Sequence, residues 1–316
     1  MQHLPEYFIS GDWGTTNFRL RLVETATLKI YSQHHTGQGV KVLFGKHTAE
    51  TPADRFQTYL SYLEEQIEQL PNSDLAQMVI LSGMASSSIG MFELPYASLP
   101  ITFDGASLLW KDFELRGGRK LLLISGVKSA EGMMRGEEVQ AIGLADHLSA
   151  IKEGILILPG THSKHITFRD GRFISFQTFM TGELFKIIVE ESILSNSVAS
   201  NSWSVERKKA FLKGCTLGLE GKLSASLFSV RARQLNQLTS LEDNFYYLSG
   251  LLIGDELSYL RDTAQAIVLA CPESLFSLYR LTLHSAFAED QLHLMDGAIL
   301  EQALLIGQKK MLLSYE

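Results

Sequence analysis

The chain is poor in cysteine: 316 residues hold only Cys215 and Cys271. Their positions match no metal-binding spacing. A disulfide framework is therefore not expected, and a reducing, cytoplasmic setting fits. Zinc-type pairs are missing as well, because the nine histidines are scattered without an HExxH motif. No apolar run is long enough to span a bilayer, and the first residues lack the basic-then-apolar order of a signal peptide. Basic clusters are absent beyond Arg207-Lys208-Lys209, and the formal net charge is −7. Nucleic-acid binding is thus not expected as the main activity. An anionic substrate would need local cations, since the overall field repels it.

What is present starts at Gly11-Asp12-Trp13-Gly14-Thr15-Thr16-Asn17. The apolar run Tyr7-Phe8-Ile9 leads in, and the alternating Phe18-Arg19-Leu20-Arg21-Leu22 leads out. A period of two on the exit side predicts a strand, and the whole reads as a β-hairpin. A P-loop would need a helix and a Gly-Lys-Ser/Thr ending here. Two readings stand side by side. One is a hairpin turn rich in Gly, Thr and Asn. The other is a phosphate cradle made of backbone N–H groups. In a cradle the Asp12 carboxylate would repel phosphate unless Mg²⁺ lay between them.

Strand and helix then alternate. Residues 34–45 read as strand ends and loop. Thr51 and Pro52 open a helix with Phe56, Leu60, Leu63 and Ile67 on one face. Met78 to Leu81 form a buried strand ending in the loop Ser82 to Ser88. Strand–helix–strand order predicts an α/β fold with a partly parallel sheet. Ligands bind beyond the carboxyl ends of such strands, so the loop at 82–88 is a candidate substrate loop, with a plain flexible loop as the alternative. Residues 90–119 look irregular and carry exposed-looking apolar groups such as Trp110. They suit either a homodimer contact or a loop packed on its own domain. A strand at 121–124 and a helix from Gly136 follow.

At 155–178 the opening pattern returns. A strand, the turn Pro159-Gly160-Thr161-His162-Ser163-Lys164, an alternating strand, an Asp170-Gly171 hairpin turn and a return strand follow in order. Duplicated domains facing one another are suggested. Further helices are expected over 181–194, from a Ser204 cap through Phe211, Cys215, Leu219, Leu223 and Leu227, over 244–261, 273–287 and 298–313. Strands are expected at 267–270 and 291–295. Gly250 and Gly254 are expected to allow close approach of another element.

Two phosphate-type turns, one with an acid and one with a lysine, suit phosphoryl transfer, which is mainly positioning and charge neutralisation. Asp12 would hold Mg²⁺. Gly14, Thr15, Thr16 and Asn17 would contact phosphate from one side, and Gly160, Thr161, His162 and Lys164 from the other. A solvated Lys164 and a locally hydrogen-bonded His162 are the plain alternatives. With these motifs in view, the sequence resembles the acetate-and-sugar-kinase and actin superfamily, and more closely the 2-dehydro-3-deoxygalactonokinases. The resemblance rests on residues 12–17, Ser82-Gly83-Met84 with Pro95-Tyr96, Met134 to Glu138, Pro159 to Lys164, Met180 to Leu184, Leu248 to Gly254 and Asp296-Gly297-Ala298, in family order.

The resemblance implies two ribonuclease-H-like, actin-like ATPase lobes around a central cleft. The lobes are expected at 1–130 and 131–316, with the final helix at 298–316 free to pack back on the first. ATP and Mg²⁺ are implied as cofactors, and the 6-hydroxyl of 2-dehydro-3-deoxy-D-galactonate, or a related 2-oxo sugar acid, as acceptor. Ser82, Gly83, Met84 and Tyr96 are then substrate contacts. Arg135 is the expected carboxylate-binding cation, with a salt bridge to Glu137 or Glu138 as the alternative. Glu137 is the expected proton acceptor, with Glu138 and His162 open. Two segments depart from the family pattern: Cys271-Pro272-Glu273-Ser274 at the adenine turn, and Ala85 to Ser88 with Met91 in the substrate loop. The first favours an alternative of another class, a catalytically weak sensor that binds nucleotide or sugar acid.

Overall fold

The computed structural model describes residues 4–46 and 51–315. The chain divides into two compact units, Met1–Lys152 with Thr167–Phe176 and Ile299–Glu316, and Glu153–Ile166 with Gln177–Ala298.

The first unit is built on a meander. Strands β1 (Tyr7–Trp13), β2 (Phe18–Glu24) and β3 (Ile30–Thr36) pair antiparallel in sequence order. Short helix α1 (Val40–Lys46) and long helix α2 (Pro52–Glu68) follow. Thr51 caps α2 with a reciprocal box: its hydroxyl accepts from the Asp54 N–H, and the Asp54 carboxylate accepts from the Thr51 N–H. Strand β4 (Met78–Gly83) is buried along its whole length, as an inner parallel strand must be. The short β5 (Ala97–Ser98) and β6 (Ile101–Thr102) precede β7 (Trp110–Glu114) and β8 (Lys120–Ile124). The sheet order is β3-β2-β1-β4-β8-β7, with β1, β4 and β8 parallel. A minor sheet joins β5 to β9 (Val127–Lys128) and β10 (Met133–Met134). Helix α3 (Glu137–Leu148) ends this stretch.

The second pass repeats the order. Strands β11 (Glu153–Leu158), β12 (Ser163–Arg169) and β13 (Arg172–Phe179) lead into α4 (Thr181–Glu191), α5 (Lys208–Leu219), α6 (Leu223–Leu235) and α7 (Leu241–Leu257). Then come β14 (Ala266–Ala270), α8 (Glu273–Ala286), β15 (Leu292–Met295) and α9 (Gly297–Tyr315). This sheet runs β15-β14-β11-β12-β13-β6, with β11, β14 and β15 parallel. Five strands of each sheet thus share one order, 3-2-1-4-5, which is the ribonuclease-H-like arrangement of an actin-like fold. In the first unit α9 returns against α3: a Cβ at Gly143 would fall 1.7 Å from the Ala303 carbonyl oxygen, and one at Gly307 2.0 Å from that of Val139.

Several elements differ from the sequence expectation, among them β5, β6 and β7 within residues 90–119, which read as irregular. Residues 40–46, expected as loop, form α1; only Val40 and Leu43 are buried, too few for a readable helical period. The single helix expected from Ser204 is two, broken where Gly221 turns left-handed at φ +70°. Ser204 precedes a 3-10 turn at Val205–Arg207 that runs straight into α5, and its side chain makes no capping hydrogen bond there. Helix α4 stops at Glu191, and α7 starts earlier, at a Ser240 cap whose hydroxyl accepts from the Asp243 N–H.

Gly250 and Gly254 do allow close approach. Helices α5 and α7 meet through Gly214, Gly218, Gly250 and Gly254, and an added Cβ at each would lie 2.1, 2.2, 2.1 and 2.4 Å from a carbonyl oxygen of the facing helix. Helix α7 is apolar nearly all round because it is packed on most sides. Gly250→Val should therefore destabilise the protein by about 1–3 kcal/mol, the usual cost of overpacking. Gly45→Ala, where nothing lies within 4 Å of the new Cβ, should not. Urea unfolding midpoints of the two variants would show the contrast, and equal midpoints would refute it.

Candidate functional site

Each unit carries one hairpin of interest. In the first, Asp12 sits near the end of β1, opposite Arg19 on β2 and Ser82 on β4. Trp13 follows, fully buried, with its indole N–H donating to the Gln38 carbonyl at 3.0 Å. The turn closes with the Gly14 N–H on the Asn17 carbonyl at 2.9 Å. The start of α1 then engages the turn's carbonyls. Gly39 N–H donates to Thr16 O at 3.0 Å, Val40 N–H to Gly14 O at 2.9 Å and Lys41 N–H to Thr15 O at 3.0 Å. Only glycine permits this seat, because a Cβ at residue 39 would lie 2.4 Å from the Thr15 carbonyl oxygen. Thr15, Thr16 and Asn17 remain exposed.

Below the hairpin, Gln308 of α9 is fully buried, and its Nε2 donates to the Gly11 carbonyl and to Ser82 Oγ, both at 3.0 Å. Ser82 is likewise fully buried, so its hydroxyl ties β4 to β1 and α9. Gly83 has φ +90°, and a Cβ there would lie 2.7 Å from Trp13 O and 3.5 Å from Asp12 Oδ1. Gly136, at φ +110°, places a would-be Cβ 3.6 Å from the Gly83 Cα. Asp12, Gly83 and Gly136 therefore converge.

Charges gather at the same place. Burial raises the pKa of Asp12, Arg19 and Arg21 pull it down, and Glu137 pushes it up. Arg21 is only 3% exposed, and its Nη2 lies 3.5 Å from Glu301 Oε1. Glu137 and Glu138 open α3, where the helix N-terminus favours carboxylates. The Arg135 N–H donates to Glu137 Oε2 at 3.1 Å, and the Gly136 N–H to both Glu138 oxygens at 2.8 Å. Glu138 is buried. Desolvation and then the nearby Glu137 push its pKa from 4.5 up to about 8.

The Arg135 guanidinium is seated by residues of the first unit. Nη1 donates to Ser86 Oγ at 2.6 Å and Nη2 to the Leu94 carbonyl at 3.2 Å, and the group stacks 3.9 Å from the Tyr96 ring centre. Ser86 belongs to the departing segment 85–88, so that segment supplies the arginine's seat. Met84 is half-buried in the 3-10 turn that follows β4.

In the second unit the turn between β11 and β12 abuts the start of α4. Glu183 N–H donates to Thr161 O at 3.1 Å, and a Cβ at Gly182 would lie 2.6 Å from Gly160 O. His162 Nε2 pairs with Glu183 Oε2 at 2.6 Å. Lys164 is 3% exposed, not solvated, and its Nζ donates to the His162 carbonyl at 3.0 Å. Beside the turn lies a cavity of about 210 Å³, lined among others by Gly160, Gly182, Phe185, Ser249, Leu275 and Tyr279. Cys271 turns into the core, fully buried, and its thiol is pushed up to about 12 by burial. The departing Cys271-Pro272 turn therefore gives its sulfur to packing, while Ser274 and Leu275 face the cavity.

The first hairpin, Ser82, Gly83, Tyr96, Arg135 and Glu137 thus all belong to the first unit, and Gly160, Thr161, His162 and Lys164 to the second. Sequence reasoning missed Arg19, Arg21, Gly39, Ser86, Glu183 and Gln308. The two arginines were findable: alternation over 18–22 puts both on the Asp12 face of the hairpin. Gln308 carried no local signal. Among the described residues no group of three or more His, Cys, Asp or Glu side chains can hold a metal.

This topology, with a small-residue hairpin at the head of each repeat, defines an actin-like fold. A sequence profile for 2-keto-3-deoxy-galactonokinase matches residues 12–306. The chain belongs to that family. It is 30% identical to a "Probable 2-dehydro-3-deoxygalactonokinase" of Rhizobium meliloti (strain 1021) over 291 residues, 88% of this chain and 89% of the relative. It is 28% identical to the 2-dehydro-3-deoxygalactonokinase of Escherichia coli (strain K12) over 281 residues, 86% and 88% of the two chains. A crystal structure described as "a putative 2-dehydro-3-deoxygalactonokinase protein from Sinorhizobium meliloti" superposes with a TM-score of 0.78 at 26% identity, covering 96% of this chain and 94% of that one.

A raised acid pKa means that the folded state holds a proton the unfolded chain has lost. Glu138 therefore contributes stability that is full below pH 4.5 and disappears as the pH climbs through about 8. Glu138→Gln should flatten this dependence. Relative to the variant, the unaltered protein should lose stability between pH 5 and 8, by at most about 1.4 kcal/mol per pH unit. Denaturation at several pH values tests this, and parallel curves would refute it.

Proposed function

We propose that this kinase transfers the γ-phosphoryl group of ATP to the 6-hydroxyl of 2-dehydro-3-deoxy-D-galactonate or a close 2-oxo sugar acid. The observation that carries the reading is the family match over residues 12–306. The names of the relatives support the substrate class.

The nucleotide is assigned to the second unit. Its base and ribose suit the cavity beside Gly160 and Tyr279, with Phe185, Leu275 and Leu278 as apolar walls. The phosphates extend to the Gly160–Lys164 turn, where Lys164 is the near cation. In the first unit, Asp12 and the exposed Thr15, Thr16 and Asn17 are assigned to the metal-bound phosphate end.

Mg²⁺ fits this donor set. It commonly takes one or two carboxylates and completes its shell with phosphates and water. Asp12 offers a hard oxygen whose burial leaves its charge incompletely compensated. Bound there, Mg²⁺ would neutralise charge on the transferring group.

Arg135 is assigned to the substrate carboxylate, since Ser86, Leu94 and Tyr96 already hold its guanidinium in one orientation. Glu137 is assigned to accept the proton of the attacking hydroxyl. It is half-buried beside Asp12 and anchored at the start of α3. The two free, buried cysteines fit a cytoplasmic enzyme. A homodimer through residues 90–115 completes the reading.

ADP release coupled to 2-dehydro-3-deoxygalactonate tests the activity, and no turnover with any sugar acid would overturn it. Asp12→Asn should lower turnover at least a hundredfold while leaving the unfolding temperature in place, because metal-assisted charge stabilisation contributes several kcal/mol. Arg135→Lys should raise KM for the sugar acid about tenfold or more, the effect of one charge-assisted bond, with KM for ATP unchanged. Equal effects on both substrates would remove Arg135 from the carboxylate site.

A further inference from the structure

Behind the second hairpin a chain of polar contacts runs into the core of the second unit. The Gly160 N–H donates to Ser163 Oγ at 3.4 Å. Ser163 Oγ lies 3.4 Å from Tyr279 Oη, and the Tyr279 hydroxyl donates to Glu256 Oε2 at 2.9 Å. Glu256 Oε1 lies 2.9 Å from His165 Nε2, and His165 Nδ1 lies 2.9 Å from Tyr259 Oη. Ser163, His165, Glu256 and Tyr279 are all buried, at 2% exposure or less.

Glu256 is the hub, with Oε2 accepting from the Tyr279 hydroxyl and Oε1 facing His165 Nε2. Burial raises the pKa of Tyr259 and Tyr279, so both keep their protons and both donate. Tyr279 gives its single proton to Glu256, which leaves its oxygen to accept from the Ser163 O–H. Ser163 then accepts from Gly160. On the other branch, the His165 ring bridges Glu256 Oε1 and the Tyr259 hydroxyl.

A satisfied polar cluster that specifies a core would look the same up to this point. Two further observations distinguish it. Tyr279 is also a wall of the cavity, together with Gly160 and Gly182. In addition, the network grips β12 at Ser163 and His165, on either side of Lys164, whose own Nζ closes back on the turn. One hydroxyl thus joins the wall of the nucleotide cavity to the turn assigned to its phosphates.

We propose that Tyr279, with Glu256 and His165 behind it, is a positioning residue that holds the Gly160–Lys164 turn in its phosphate-receiving shape. The proposal rests on the nucleotide assignment above. It predicts that removing one hydroxyl separates recognition of the phosphates from recognition of the nucleoside.

Tyr279→Phe keeps the ring and the cavity wall but breaks the link. It should lower kcat/KM for ATP about tenfold, the effect of one hydrogen bond. The inhibition constant of adenosine, used as a competitor of ATP, should stay within about twofold, because packing around the nucleoside is retained. Ser163→Ala, which leaves the cavity wall intact, should give the same split. The double variant should lose no more than either single one, since both cut the same chain. Unchanged ATP kinetics in both variants would overturn the proposal. So would equal losses for ATP and adenosine, or additive losses in the double variant, because either marks a packing role. Absence of ADP release by the unaltered protein would instead overturn the kinase reading, and the same assay shows it before any variant is made.

Discussion

The first hairpin depends on three backbone hydrogen bonds from the start of α1. Gly39, Val40 and Lys41 donate to the carbonyls of Thr16, Gly14 and Thr15, and they turn the acceptor side of the loop into the protein. A turn with its carbonyls facing outward would repel phosphate. With them engaged, the exposed Thr15, Thr16 and Asn17 are left as the hairpin's outward groups. The burial of Trp13 against Phe18 and Tyr59 fixes the strand that carries Asp12. Gln308 anchors the same strand from α9 by bonding the Gly11 carbonyl.

Around that strand the first unit gathers charges of both signs. Asp12 faces Arg19 and Arg21 with Glu137 nearby, Glu138 is buried next to Glu137, and the pKa of both Asp12 and Glu138 rises. Their mutual repulsion is tolerable because the helix N-terminus and the Arg135 and Gly136 N–H groups hold two of them. Burial raises the Asp12 pKa, so its charge is the one that a cation bound beside it would relieve. The second unit uses the opposite device. It places a buried lysine at its turn and backs the turn with a polar chain ending on Glu256.

Much of the fold was legible because its signals are local. The alternation at 18–22, the buried run at 78–81 and the Thr51–Asp54 box each read directly as an element. The return of the hairpin at 155–169 disclosed the duplication. What escaped notice carried weak local signals. Helix α1 buries two residues only, and the break at Gly221 hid within a continuous apolar stripe. The glycines of α5 and α7 were visible as glycines, but their partners were not, since the helices that meet there are separated by a whole intervening helix.

The candidate site divides in the same way. By itself the sequence determined which groups head the two hairpins, Asp12 with its hydroxyl neighbours and Lys164 with its glycine, because turn chemistry is written in adjacent residues. The family motifs in order determined the kinase class. Tertiary structure alone decided what surrounds them: Ser86 and Tyr96 beneath Arg135, Gln308 under Gly11, and Tyr279 behind Ser163. These partners lie far apart in the chain or on facing strands. Side chains so placed meet only after burial has brought their elements together, and no local periodicity encodes that meeting.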